Sequence, residues 1–237
     1  MNYYPVFNLE TKKYELVLNK PKYWVSEKDV SKLAKWAIIV SEDWAFFDHD
    51  GFDINQIQIV VGESIKAGHF VRGASTITQQ VIKNSVLTSE RSLWRKFREL
   101  VLSYKIEYYF SKEKILEIYL NIIELGENIY GIGQASEYYF QKKPSELNAR
   151  EGAFLAMLLP SPVKYSSSYN NKKLSPFALE QIESILVKLR QAKMYTEEDR
   201  LEVVNKKFIW EKQAEIEVIL EPVMSDEELM DEDYFYE

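Results

Sequence analysis

Apolar residues recur at helical spacing along most of this chain. Val30, Leu33, Ala34, Ala37, Ile38 and Val40 mark a first helix, for which Ser26 is the expected N-cap and which ends around residues 42–47. Ile54, Ile57, Val61 and Ile65 mark a second, capped by Asp53 and stopped by Gly68. A helix begun at Ser89 carries Leu93, Phe97, Leu100, Val101, Tyr104 and Tyr108 as an apolar stripe suited to a core. Arg91, Arg95 and Glu99 recur every four residues on its other face. Ser111 opens a helix with Ile115, Leu116, Ile118, Tyr119 and Ile122 inward, and an aromatic helix follows around residues 134–140. Asn148-Ala-Arg150-Glu151 reads as a capping box before an apolar helix that Pro160 and Pro162 terminate. Ser175-Pro176 starts a helix through about Gln191, and Thr196 starts another. Residues 1–25 alternate only weakly, as an extended arm or short strand would. The pattern predicts a mainly α protein.

Charge changes this picture locally. The chain of 237 residues has 30 Lys and Arg against 37 Asp and Glu, a net charge of -7. That balance argues against general nucleic-acid binding. Yet five basic and two acidic residues fall between Lys83 and Glu99, and guanidinium forks beside a Lys point charge suit phosphate oxygens. Hydrophobic residues make up 46%, enough for a core, and the absence of cysteine excludes disulfides and thiolate metal sites. No run of about 18 apolar residues occurs, and Met1–Phe7 lacks the basic and apolar regions of a signal peptide. From Glu211 onward the chain is acidic.

The basic stretch is also the most distinctive in composition. It reads Gly73-Ala-Ser75-Thr-Ile-Thr-Gln79-Gln80, then Lys83-Asn84, then Arg95-Lys96-x-x-Glu99. These two blocks resemble signatures of the peptidoglycan glycosyltransferases (glycosyltransferase family 51), which include monofunctional enzymes and the polymerase domain of class A penicillin-binding proteins. Glu42-Asp43-x-x-Phe46-x-x-His49-x-Gly51 resembles a third signature, Lys114-Ile-Leu-Glu117-Ile-Tyr-Leu-Asn121 a fourth and Arg150-Glu-Gly-Ala-Phe-Leu-Ala a fifth. The blocks occur in family order over roughly residues 24–206. Ile59 stands where the family often has an Arg, which leaves Lys66 or Arg72 to substitute.

The resemblance implies a lysozyme-like helical domain over 26–210, with a smaller membrane-facing jaw lobe at about 53–72, an N-terminal arm over 1–25 and an acidic tail over 211–237. It implies polymerisation of lipid II into β-1,4 glycan strands with inversion, releasing undecaprenyl pyrophosphate. Such chemistry needs a carboxylate to take the proton of a sugar hydroxyl and cations already placed around the leaving pyrophosphate. By the resemblance Glu42 is the general base and Glu99 the second carboxylate of the site. Lys83, Arg91 and Arg95 are pyrophosphate-binding, with Ser75, Gln79, Gln80 and Asn84 as neutral donors to phosphate or sugar oxygens. Glu99 would help hold a divalent ion such as Mg²⁺, or orient the basic groups. His49 is expected as a brace for its loop, and Glu117 and Asn121 as groups that bond to backbone or to a neighbouring Arg. Implied partners are lipid II, the growing strand, a membrane surface and, for crosslinking, separate transpeptidases. The implied location is the outer face of the bacterial inner membrane, with the family's usual N-terminal anchor not visible in this sequence. Two rivals share the carboxylates: a lysozyme-like hydrolase, against which the cationic cluster speaks, and a catalytically idle glycan- or lipid-binding scaffold.

Overall fold

The computed structural model describes residues 3–69, 71, 73–85 and 92–213. The fold starts with an antiparallel hairpin, β1 (Tyr4–Asn8) and β2 (Lys13–Val17), paired from Tyr4 opposite Val17 to Asn8 opposite Lys13. This is the weakly alternating arm. It is held to the body by the Tyr14 hydroxyl, which donates to the Ile122 carbonyl, and by Phe7 stacked 4.3 Å from Tyr130.

Helices then dominate: α1 (Lys32–Glu42), α2 (Ile54–Ala67), α3 (Ile77–Ser85), α4 (Leu93–Tyr109) and α5 (Lys112–Ile122). A small antiparallel pair, β3 (Glu124–Gly126) and β4 (Ile129–Tyr130), precedes α6 (Ile132–Phe140) and α7 (Ala149–Leu158). Two single turns, α8 (Pro162–Tyr165) and α9 (Ser167–Asn170), lead to α10 (Pro176–Gln191) and α11 (Glu197–Val204). The mainly α character expected from periodicity and from the resemblance is what the chain adopts.

The local stop and start signals worked as expected in most places. Asp53 accepts the Gln56 N–H at 2.9 Å, and Gly68 ends α2 in the left-handed region at φ 70°. Asn148 and Glu151 form a reciprocal box at 2.9 Å each way, and Ser175 and Thr196 cap α10 and α11. Ser26 does not cap α1. It precedes a single 3₁₀ turn, and extended Val30 interrupts before Ser31 takes the cap by accepting from Ala34 N–H at 3.5 Å. The Ser31 N–H is also anchored to the Pro144 carbonyl at 3.0 Å, a contact 113 residues away that no local pattern encodes.

Helix α7 is the centre of the core. All ten of its residues are buried, and α1 and α10 pack on it. The closeness depends on Gly152: a Cβ there would lie 2.5 Å from the Ala34 Cα. Phe140, Phe154, Phe208 and Trp210 form an aromatic cluster beside it, with Phe208 and Trp210 stacked at 5.0 Å. Arg150 is buried there with its guanidinium 5.0 Å from the Phe208 ring centroid.

Helix α4 corrects the sequence reading. Its expected core stripe faces out: Phe97, Val101, Tyr104 and Tyr108 are exposed, while Glu99 and Ser103 on the opposite side are buried. The inward face packs on α3 and α5, and Ser103 makes an internal bond to the Glu99 carbonyl at 2.8 Å that satisfies its hydroxyl. Gly51 lies against this face, since a Cβ on it would meet the Ser103 carbonyl at 2.9 Å. The observed cap is Ser92, which accepts from Arg95 N–H at 3.0 Å; Ser89 lies outside the described residues.

Candidate active site

Helix α1 ends on Glu42, and the residue after it ties that end to α3. Buried Asp43 accepts the Ile77 N–H, the first of α3, at 2.9 Å. A carboxylate at a helix N-terminus satisfies an orphan donor and complements the dipole. The His49 Nε2 meets both Asp43 oxygens at 2.9 and 3.1 Å, so His49 braces the same junction. Thr76 and Gln79 add a second lock on the start of α3. Gln79 Oε1 accepts Thr76 N–H at 3.1 Å, Thr76 Oγ1 accepts Gln79 N–H at 3.2 Å, and the Thr76 hydroxyl donates to the Gly51 carbonyl at 2.7 Å.

Gln79 therefore has a different task from the one expected. It is 1% exposed and caps α3, where the resemblance made it a donor to substrate. The signal was present in the sequence, because Thr-x-x-Gln is a capping-box pattern. Gln80, one residue on, points instead at Glu42. Its Nε2 donates to Glu42 Oε2 at 2.8 Å, and its Oε1 accepts from the Tyr119 hydroxyl of α5 at 3.1 Å. Tyr119, read from the sequence as an inward residue of its helix, is thereby linked to Glu42 through Gln80.

Burial pushes the Glu42 carboxyl above the ordinary carboxylate range. The Gln80 hydrogen bond and Lys188 of α10 pull the other way, and Asp43 adds to the rise. Desolvation outweighs the effects that oppose it. A carboxylate so tuned is a better base at neutral pH than an exposed one, because its affinity for a proton is higher.

Lys83 and Asn84 follow Gln80 by three and four residues, so helical spacing sets them on its edge of α3. Lys83 is exposed and Asn84 half-buried, while Ile77, Val81 and Ile82 of the same helix are buried in the core. Ser75 is exposed in the segment just before α3. Arg91 lies outside the described residues, as does Arg72; Lys66 is exposed at the end of α2.

On α4, Glu99 is 2% exposed and sits between two cations. Lys96 Nζ bonds its Oε1, and Arg95 Nη1 lies 3.6 Å from Oε2. Arg95 is bent towards this carboxylate rather than extended into solvent. The donor set does not suit a metal held by Glu99, since an incoming divalent ion would meet Lys96 and Arg95 at the same oxygens. Among the described residues no group of three or more His, Asp or Glu has the arrangement of a metal site. Glu107 forms a further clamp, taking the Thr78 hydroxyl at 2.5 Å and Lys112 at 2.7 Å, which fastens α3 to α4 and α5. Glu117 and Asn121 bind the segment before α1. Glu117 accepts from Trp24 Nε1 at 3.2 Å, and Asn121 exchanges bonds with Val25 N–H and carbonyl at 2.8 Å each.

The arrangement brings together one base-like carboxylate with an elevated proton affinity, a cationic edge on α3 and a charge-paired carboxylate on α4. Residues 11–192 of the chain match the transglycosylase family. A biosynthetic peptidoglycan transglycosylase of Acinetobacter baumannii is 40% identical over 151 residues, 64% of this chain and 67% of that protein. One from Nitrosomonas eutropha is 37% identical over 171 residues, covering 72% and 68%. Penicillin-binding protein 1A of Neisseria flavescens is 46% identical over 145 residues, 61% of this chain but 18% of that much longer protein.

Proposed function

The chain belongs to the transglycosylase family, and from that premise we propose that it is a peptidoglycan glycosyltransferase that polymerises lipid II into β-1,4 glycan strands. The observation that carries the site assignment is Glu42. It is buried enough to bind a proton readily, and Gln80 holds one oxygen. Among the described residues no hydrogen bond occupies the other oxygen, Oε1.

In this reading the Glu42 Oε1 removes the proton from the 4-hydroxyl of the acceptor's GlcNAc. The freed oxygen attacks C1 of the donor's MurNAc from the face opposite the lipid pyrophosphate. The C1–O bond to the pyrophosphate breaks with its electron pair, and the sugar inverts. Lys83 and Arg95, with Arg91, stabilise the charge gathering on the leaving group. Ser75 and Asn84 supply neutral hydrogen bonds. Glu99 acts through Arg95 and Lys96, keeping two cations placed before substrate arrives. A divalent ion such as Mg²⁺ would enter with the substrate and would offset the charge of the leaving pyrophosphate, needing few protein ligands.

The outward aromatic face of α4, with Trp94, Phe97, Tyr104 and Tyr108, and the outward Ile54, Ile59 and Ile65 of α2 are assigned to the membrane surface that presents the lipid. The working place is the outer face of the inner membrane, beside transpeptidases that crosslink the product. No helix among the described residues is long and apolar enough to cross a membrane.

Incubation with labelled lipid II and Mg²⁺ tests this. The expected result is polymer on a gel that a lysozyme-type muramidase digests. Reducing sugar released from finished glycan without polymer would establish the hydrolase, and lipid II binding without turnover the scaffold.

A further inference from the structure

Glu42, Gln80 and Tyr119 come from three different helices and form a hydrogen-bonded chain whose direction is set by chemistry. An ionised carboxylate only accepts, so the Gln80 end facing Glu42 at 2.8 Å must be Nε2. The other end, Oε1, also only accepts, so the Tyr119 hydroxyl at 3.1 Å must donate. Tyr119 keeps its proton: burial, then the charges of Glu42 and Asp43, hold the phenol well above its usual pKa. Turning the amide over would set Oε1 against the Glu42 oxygen, two acceptors face to face. Glu42, which can only accept, thus selects the amide orientation, and the buried Tyr119 hydroxyl, turned to donate, anchors the oxygen end of the amide.

We propose that Tyr119 is a positioning residue for the general base, acting through Gln80 to hold Glu42 Oε2 and present Oε1 to the acceptor sugar. This rests on Glu42 being the base in the reading above. It also changes the task of Gln80, whose two amide ends are both turned inward, from binding substrate to orienting the base. The packing around the chain supports the role. Asp43 and Thr76 pin the start of α3 to the end of α1 and the loop after it, so the distance between Glu42 and Gln80 is set by the fold. What the fold leaves adjustable is the side chain of Gln80, and Tyr119 tethers its far end at 3.1 Å.

Other groups bear on the titration of Glu42 and enter the test. Asp43 neighbours it on its own element, with His49 behind Asp43, and Lys188 approaches from α10. The charged residues of α7, Arg150 and Glu151, flank Gly152, which packs on Ala34 about two turns away along α1. None of these changes when the Tyr119 hydroxyl is removed.

The test is Tyr119→Phe, which deletes one oxygen, read by lipid II polymerisation across pH and by carboxyl-carbon NMR titration of Glu42 in the free protein. Loss of one hydrogen bond in the chain should lower kcat about fivefold with KM for lipid II unchanged, and move the acid limb and the Glu42 pKa up by roughly half a pH unit. Gln80→Glu sets a second carboxylate beside Glu42 and should move both further up, with activity returning as pH rises. Should Tyr119→Phe fail to fold, Gln80→Glu carries the same measurements. An unmoved Glu42 pKa and pH profile in the folded variants overturns the proposal, as does a change confined to KM or to thermal stability. Absence of polymer from the unaltered protein would defeat the proposed function, and the NMR titration would still decide whether Tyr119 governs Glu42.

Discussion

Helix α7 reads as apolar by sequence and α4 as amphipathic, and the molecule treats the apolar residues of the two in opposite ways. All of α7 is inside: Glu151 is satisfied by the cap and by Lys142 at 2.7 Å, and Arg150 lays its guanidinium over the Phe208 ring. In α4 the buried positions include a carboxylate and a hydroxyl, while Trp94 and Tyr108 stand 67% and 79% exposed. An apolar stripe shows that a helix has two faces. It does not say which face this chain covers. Burying Glu99 is tolerable because Lys96 and Arg95 neutralise it, and a buried carboxylate without partners would not be. The α7 side is densely packed apolar core, and α4 uses its buried positions for a carboxylate held between two cations.

Substitutions on the two sides should separate these roles. The largest effect is expected from Gly152→Val, since even its Cβ would lie 2.5 Å from the Ala34 backbone. Overpacking costs about 1–3 kcal/mol where neighbours can shift; here backbone meets backbone, so the expected outcome is loss of cooperative thermal unfolding and of soluble expression. If this variant melts like the parent, α7 is not the packed centre.

Lys83→Ala on the site side should leave the melting temperature in place, because Lys83 is exposed. Turnover should fall about a hundredfold, the size of losing one transition-state stabiliser. Unfolding with normal residual activity would make Lys83 structural and blur the contrast.

Glu99→Gln lies between the two classes. It removes the charge that Arg95 and Lys96 face, and should cost about 2 kcal/mol of stability as well as activity. Urea titration and polymerisation rates measured together would show both. Loss of activity alone would mean that the pairing does not help hold α4.

Glu42→Gln should abolish polymerisation while lipid II binding persists, and its stability effect has a definite sign. Burial raises the folded-state pKa of Glu42, so between the unfolded and folded values the native state holds more protons. Stability from this group is then greatest in acid and falls as pH rises through the folded pKa. The variant should therefore melt at a higher temperature than the parent at neutral and alkaline pH, and without that gain in acid. A polymerising Glu42→Gln protein would remove the base assignment.

The smallest effect on stability is expected from Trp94→Ser, Phe97→Ser and Tyr104→Ser combined, within about 0.5 kcal/mol per site for exposed positions. Sedimentation with vesicles should drop nonetheless. A large loss of melting temperature would show that this face is core after all.

Much of the fold was legible because its signals are local. Asp53, Gly68, Asn148, Ser175 and Thr196 each act on groups within about a turn, so their residue types suffice to place helix ends. The ordered motif blocks likewise located Glu42, Lys83 and Glu99 as candidate site residues. Ser26 misled because the true start of α1 depends on Ser31 meeting Pro144. Gln79 and Gln80 are adjacent and identical in type, yet one caps a helix while the other holds a carboxylate.

By itself, then, the sequence determined most of the helical segments, though not α3 or the single turns α8 and α9, together with most of their ends and the charged groups available for a transfer reaction. Backbone propensity, capping and spacing are properties of neighbouring residues. Tertiary structure alone decided that α4 turns its aromatic side outward, that Glu99 faces Arg95 and Lys96 from a buried position, and that Gln80 links Glu42 to Tyr119. Those last contacts join residues 38 and 39 positions apart, and burial and electrostatic environment exist only once α1, α3, α4 and α5 have packed.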